Sequence, residues 1–331
     1  MDNLTPALIV VLLLVLAAEF VNGWTDSPNA IATVVSTHVL SPVKAVIMAV
    51  SLNMLGVLIT GTAVATTIGK GIVKPEALDL SVVAAAMITI VLWSTLAWRY
   101  GIPTSESHEL VAGLAGAGLA AAGPSVLLSA GWQKVLIGLG FSTFLGFGLA
   151  VGIMLALYWL LRGTRLSSVR SVFSRLQIVS AAFMAFSHGS NDGQKFMGAF
   201  SLALVLGGAM AKFTIPIWVM LLCGAVMGLG TAFGGWRIIR TMGFKITKLE
   251  PVNGFAAESA GSLAILLASR FGIPLSTTHT IGTSIMGVGA TRRFSAVRWG
   301  MAREIVTTWI ITFPACAILG YVFTLLIRFI F

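Results

Sequence analysis

Arg99-Tyr100-Gly101-Ile102-Pro103-Thr104-Ser105-Glu106-Ser107-His108 returns 171 residues later as Arg270-Phe271-Gly272-Ile273-Pro274-Leu275-Ser276-Thr277-Thr278-His279. The same offset pairs Gly116 with Gly287 and Gly118 with Gly289. A second match, Gly23-Trp24-Thr25-Asp26 with Gly189-Ser190-Asn191-Asp192, has an offset of 166. Two matches in the same order, at nearly the same offset, mark a duplicated chain: residues 1–161 and 176–331 as related halves, joined by 162–175.

The halves are made of membrane-length segments. Of 331 residues, 57% are apolar and 10% charged, and mean hydropathy is +0.97. A water-facing surface needs roughly 25–35% charged residues, so a soluble domain is excluded. Apolar runs of about 20 residues match a hydrocarbon core about 30 Å thick, and in lipid such runs must be helices. The alternation of a membrane barrel is absent. Five segments precede Arg162 (5–36, 43–65, 81–100, 108–122, 133–161) and five follow Arg175 (176–202, 205–234, 253–271, 278–290, 304–330). The expected fold is all-α and integral to the membrane. The first run starts with Met1, Asp2 and Asn3, without a basic leader, and reads as a retained span. Cys223 and Cys316 lie inside apolar runs and read as packing residues.

An odd number of spans per half inverts the second copy, and charge tests this. The stretch 162–175 carries Arg162, Arg165, Arg170 and Arg175 without an acid and belongs inside. Loop 66–80 is then outside, with Lys70 and Lys74 balancing Glu76 and Asp79. Its counterpart 235–250 is inside and carries Arg237, Arg240, Lys245 and Lys248 against Glu250. Loop 121–132 is outside and uncharged, whereas 291–303 is inside with Arg292, Arg293, Arg298 and Arg303. Both termini face outside a cell membrane. The net charge of +10 is thus a topology signal, and nucleic acid is not an expected partner. Inverted repeats with a midplane site are the plan of a secondary transporter. The stretch Asn22–Asn29 and the roughly 14-residue segment after Pro103 predict broken or re-entrant helices there.

Charges buried among apolar residues are rare without a role. Here they are Glu19, Asp26, Glu106, Glu109, Asp192, Glu258 and Lys195. The alternative for any single acid is a helix-end or helix-packing residue, and Glu19 reads equally either way; Asp26 and Asp192, repeat-related and beside helix breaks, read as functional. Proline favours the first helical position, so Thr104-Ser105-Ser107 and Ser276-Thr277-Thr278 sit at helix starts. Free backbone N–H groups and the dipole favour an anion there, and hydroxyls add donors suited to a tetrahedral oxyanion. Plain helix capping accounts for each start but not for the repetition. His108 and His279 lack ligand spacing to another His or Cys, so neither a metal site nor a cofactor is expected; they orient the loops or assist proton movement. Gly113, Gly116, Gly118 and Gly224-x-x-x-Gly228 read as close-packing positions.

With these motifs the chain resembles the inorganic phosphate transporter (PiT) family over nearly its whole length. The family's Asn-Asp motifs correspond to Gly23-Trp24-Thr25-Asp26-Ser27-Pro28-Asn29 and Gly189-Ser190-Asn191-Asp192-Gly193-Gln194-Lys195, and its hydroxyl motifs to the two Gly-Ile-Pro stretches. Pro251–Glu258 and Gly287–Arg293 also resemble family elements. The resemblance implies secondary active uptake of phosphate driven by sodium or protons, by a dimer with a scaffold part and a mobile part. On its pattern Asp26, Asn29, Asn191, Asp192, Ser105, Ser276, Thr277 and Thr278 line the phosphate and cation sites. Ser107 joins the phosphate set as a helix-start hydroxyl, and Glu258 joins Asp26, Asp192 and Lys195 in the coupling set. Two positions depart from the family pattern, Thr25 and Lys195, each standing in place of Asn. A lysine there is a built-in cation that can replace a sodium ion, and short bacterial members are commonly proton-coupled. Transport of sulfate by the same machine, an enzyme acting on lipid phosphate and an anion channel are the competing readings. The pseudo-symmetric pairing of the residues argues against one-sided enzyme chemistry.

Overall fold

The computed structural model describes residues 5–74 and 77–330. Met1, Asp2 and Asn3 of the first run, and Glu76 in the charge balance of loop 66–80, lie outside the described residues. Within them the chain is helical, with an isolated β-bridge between Val73 and Leu127.

The ten apolar segments become α1 (Pro6–Ser36), α2 (Pro42–Ile59), α3 (Leu80–Tyr100), α4 (Glu106–Ala122), α5 (Ser129–Leu161), α6 (Leu166–Leu206), α7 (Ile217–Phe233), α8 (Pro251–Arg270), α9 (Thr277–Arg292) and α10 (Trp299–Ile330). Seven of them can cross a membrane by length and composition, and α7 makes an eighth when joined to Trp236–Lys245, bent 63° from it. The remaining two are α4 and α9. With 17 and 16 residues they reach only about 26 and 24 Å at about 1.5 Å per residue, short of a hydrocarbon core. They are the segments that follow Gly-Ile-Pro.

Both Gly-Ile-Pro turns close their helices identically. Gly101 has φ 69° and Gly272 φ 64°, a left-handed conformation that a side chain resists. Ile102 N–H then bonds to the Ala97 carbonyl at 3.1 Å and Ile273 N–H to the Ala268 carbonyl at 3.0 Å, the backward bond of a Schellman cap. The proline follows, and Ser105 and Ser276 cap the next helices by accepting from the N–H groups of His108 and His279.

The interruptions in α1 and α6 change hydrogen-bond spacing, while each helix runs on as one stretch. In α1 the α-helix ends at Thr25, tightens into a 3-10 turn over Ser27–Ile31 and resumes at Ala32; Pro28 has no N–H to continue the ladder. In α6 the α-helix ends at His188 and widens into a π turn over Gly189–Gly193. The basic stretch 162–175 is likewise helical from Leu166 onward rather than a loop, because nothing in it breaks the helix that enters the membrane.

Packing relations recur between the halves. Helix α1 packs on α3 and α6 on α8; α3 on α4 and α8 on α9. Across the halves, α1 packs on α7 and α6 on α2, while α4 meets α10 and α9 meets α5. The crossings rest on glycines. A Cβ on Gly23 would lie 2.0 Å from the Met227 carbonyl oxygen, and one on Gly230 2.1 Å from that of Phe20; on the partner crossing, Gly56 and Gly189 meet Phe186 and Asn53 oxygens at 2.2 and 2.1 Å. Only backbones touch there, the packing that lipid rewards. The outer helices α5 and α10 carry exposed apolar side chains such as Phe144, Trp159, Ile310 and Ile318, a surface suited to hydrocarbon.

Candidate functional site

The α1 and α6 turns meet the start of α9, and Ser107 of α4 completes the group. Asp26, at the end of the first α-helical part of α1, accepts from three donors. Thr278 Oγ1 and Asn29 Nδ2 (2.6 Å) donate to its Oδ1, and Thr277 Oγ1 reaches its Oδ2 at 3.3 Å. Asn29 also donates to Thr278 Oγ1 at 2.9 Å. Asp192, inside the π turn, accepts from Thr277 Oγ1 at 2.9 Å through Oδ2 and pairs with Lys195 Nζ at 2.5 Å through Oδ1. The Lys195 ammonium spends its other donors on Ser107 Oγ at 2.5 Å and the Leu275 carbonyl at 3.2 Å. Ser107 in turn donates to that carbonyl at 2.8 Å. All these side chains are buried.

Two features follow. The Thr277 hydroxyl has one proton and stands between two carboxylates. Two ionised aspartates against one ammonium leave the cluster short of one positive charge. Buried charge is tolerated only when paired and hydrogen-bonded, so the site has a built-in demand for a cation or proton. His188, one helical turn before Asp192, places Nε2 3.4 Å from Asp192 Oδ2. Asp26, His188 and Asp192 each offer a ligand atom within 4.8 Å of the others, the one such group among the described residues. Sequence reading missed His188; its signal was the i, i+4 spacing to an intramembrane aspartate.

The structure thus brings together Asp26, Asn29, Ser107, Asp192, Lys195, Thr277 and Thr278. Ser105 and Ser276 stand at the two helix starts as caps. Those starts touch: the rings of His108 and His279 are 4.5 Å apart, edge to face, and His279 stacks on Trp309 at 3.7 Å. Asn191 faces the α8–α9 turn, donating to Ser269 Oγ at 2.9 Å and the Ile273 carbonyl at 3.3 Å. Glu258 belongs to a second polar group, accepting from Thr33, Ser180 and Gln177. Glu106 accepts from Thr25, one residue from Asp26, and Glu109 accepts from Ser94 at 2.5 Å. Glu19 accepts from Asn22 at 3.0 Å.

A family model described as "Phosphate transporter family" matches residues 22–170 and 162–320. A Rhizobium meliloti (strain 1021) protein named "Probable low-affinity inorganic phosphate transporter" is 44% identical over 95% of both chains. A Bacillus subtilis (strain 168) protein of the same name is 40% identical over the whole of both. A solved structure titled "The sodium-dependent phosphate transporter" superposes with a TM-score of 0.89, covering 99% of this chain and 100% of its own, at 24% identity. At that identity the likeness speaks for the fold.

Proposed function

The chain belongs to the phosphate transporter family, and we propose that it imports inorganic phosphate by secondary active transport coupled to protons. It is a transporter and not an enzyme, as its family and relatives are. The observation that carries the finer reading is the Asp26–Thr277–Asp192–Lys195 cluster at the helix starts. With both aspartates ionised the cluster sums to one negative charge, so an arriving phosphate anion needs positive charge to come with it. That requirement is coupling. Lys195 supplies one positive charge from the chain itself, in the place of one bound cation. As phosphate takes the ammonium and the hydroxyls of Ser107, Thr277 and Thr278, the aspartates lose donors and take protons. Ser105 and Ser276 add hydroxyl donors, Asn29 an amide, and Asn191 fixes the turn before Ser276. Glu258 serves as a second proton-carrying group.

The same reading takes residues 1–161 and 176–331 as inverted repeats about 162–175, in a homodimer in the cell membrane with both termini outside. The exchanged packing of α1 on α7 and α6 on α2 supports the repeat relation.

The test is uptake of radiolabelled phosphate into proteoliposomes at a fixed pH gradient, with choline replacing sodium and sulfate offered in parallel. Retained phosphate uptake in choline, with little sulfate uptake, is the expected result. Collapse without sodium overturns proton coupling, and equal sulfate uptake overturns the substrate.

A further inference from the structure

Two of the motifs are left unused by the transport site: the start of α8, Pro251–Glu258, and the end of α9, Gly287–Arg293. Apart from Glu258, they meet elsewhere. Together with the loops beside them they enclose a pocket of about 590 Å³ whose polar lining includes Thr247, Lys248, Asn253, Arg292, Arg293 and Arg298. Four of these are cationic, and no acid lines it among the described residues. The neighbouring Glu250 caps the start of α8 with its side chain, and of the four cations it comes within 4 Å of Arg292 alone, at 3.9 Å on the surface.

The fold does not require the three arginines. The first half closes the equivalent loops with Leu128 N–H on the Ile72 carbonyl at 3.1 Å, as the second half closes its own with Arg298 N–H on the Ile246 carbonyl at 2.9 Å. At the 171-residue offset that relates the Gly-Ile-Pro stretches, however, Arg292, Arg293 and Arg298 correspond to Ala121, Ala122 and Leu127, while Lys248 in Ile246-Thr247-Lys248-Leu249-Glu250 matches Lys74 in Ile72-Val73-Lys74-Pro75-Glu76. Membrane topology asks for basic residues in this region, but it does not ask that four converge on one concave space. Guanidinium groups bind phosphate oxygens through paired N–H donors, and basic pockets between helices at the cytoplasmic edge suit anionic headgroups. The volume exceeds what orthophosphate fills and falls in the range of small-ligand sites.

We propose that this pocket is a second anion site, separate from the transport cluster, for a phosphoryl group borne by a larger anion: a phospholipid headgroup or a soluble polyphosphate. The proposal does not depend on which anion is transported. It is tested on the purified full chain by thermal unfolding in detergent, titrated separately with phosphatidylglycerol, phosphatidylcholine and tripolyphosphate. Three proteins are compared: the parent, a pocket variant R292Q/R293Q/R298Q, and a control R162Q/R165Q/R170Q with the same loss of charge. A saturable rise in melting temperature with phosphatidylglycerol alone identifies a lipid site, and one with tripolyphosphate alone a soluble one. Either is expected to weaken on the order of tenfold in the pocket variant, the scale of one charge-assisted hydrogen bond, and to survive in the control. No saturable shift, an equal shift with phosphatidylcholine, or an equal loss in the control overturns the proposal.

Discussion

Lys195 and Asp192 stand three residues apart on α6, a spacing that sets both side chains on one face and carries the ammonium to the site. The pair also sets the expected behaviour of the mutants. Asp192→Asn removes the one carboxylate that Lys195 contacts among the described residues and leaves a buried ammonium unpaired, which costs about 3–5 kcal/mol. This variant is expected to melt well below the parent and to transport nothing. Asp192→Asn/Lys195→Met, with both partners neutral, should recover most of the melting temperature but no transport. Asp26→Asn meets a different environment: the groups donating to it are neutral hydroxyls and an amide, so the protein should stay folded while uptake is lost. Normal uptake by either single aspartate variant would refute the coupling role. The repeat made Asp26, Asp192 and the hydroxyl clusters legible. His188 was harder to read, because its i, i+4 spacing to Asp192 is written in the sequence while its approach to Asp26 comes only with the fold.

At the scale of helices, the short segments after Gly-Ile-Pro were readable because their boundaries are written in residue chemistry: a left-handed glycine, a proline and a capping serine. The π turn in α6 was not, since one extra residue per turn leaves no mark in composition and is held by what packs around it. Glycine spacing announced close approach but not the partner. A Cβ on Gly116 of α4 would stand 1.9 Å from the Ala317 carbonyl oxygen of α10, and one on Gly320 2.3 Å from that of Gly113. Gly116→Val and Gly320→Val must push the two backbones apart, and overpacking of this kind costs about 1–3 kcal/mol or more. Both are expected to lower the melting temperature in detergent. Gly148→Ala and Gly152→Ala on α5, where a Cβ would meet no other part of the described residues within 4 Å, should leave it unchanged. Equal effects in the two pairs would mean that the α4–α10 crossing is looser than its backbone contacts make it.

Over the whole molecule, charge and contact give independent accounts of which loops share a side. Charge alone groups 66–80 with 121–132 outside, and 235–250 with 291–303 inside. The structure pairs the same loops: Val73 bridges Leu127 and Leu128 N–H bonds to the Ile72 carbonyl, while Thr247 donates to the Ala296 carbonyl. Contact cannot say which pair faces the cytoplasm, but it removes any topology that splits a pair. Under the proposed inverted repeat the remaining choice is binary, and the positive-inside rule applied to the Arg-rich stretch at 162–175 predicts a cytoplasmic position for it. Cysteines introduced singly at Ser168 and Ser295 should therefore react with a membrane-impermeant maleimide only after the cells are opened. Cysteines at Thr66 and Ser125 should react in intact cells. The native Cys223 and Cys316 are buried and leave the background low. Labelling of Ser168 and Ser125 positions from the same side would break the inverted-repeat reading itself, because α5 alone separates them. Labelling with the two sides exchanged would keep the repeat and reverse its orientation, placing the basic pocket outside the cell.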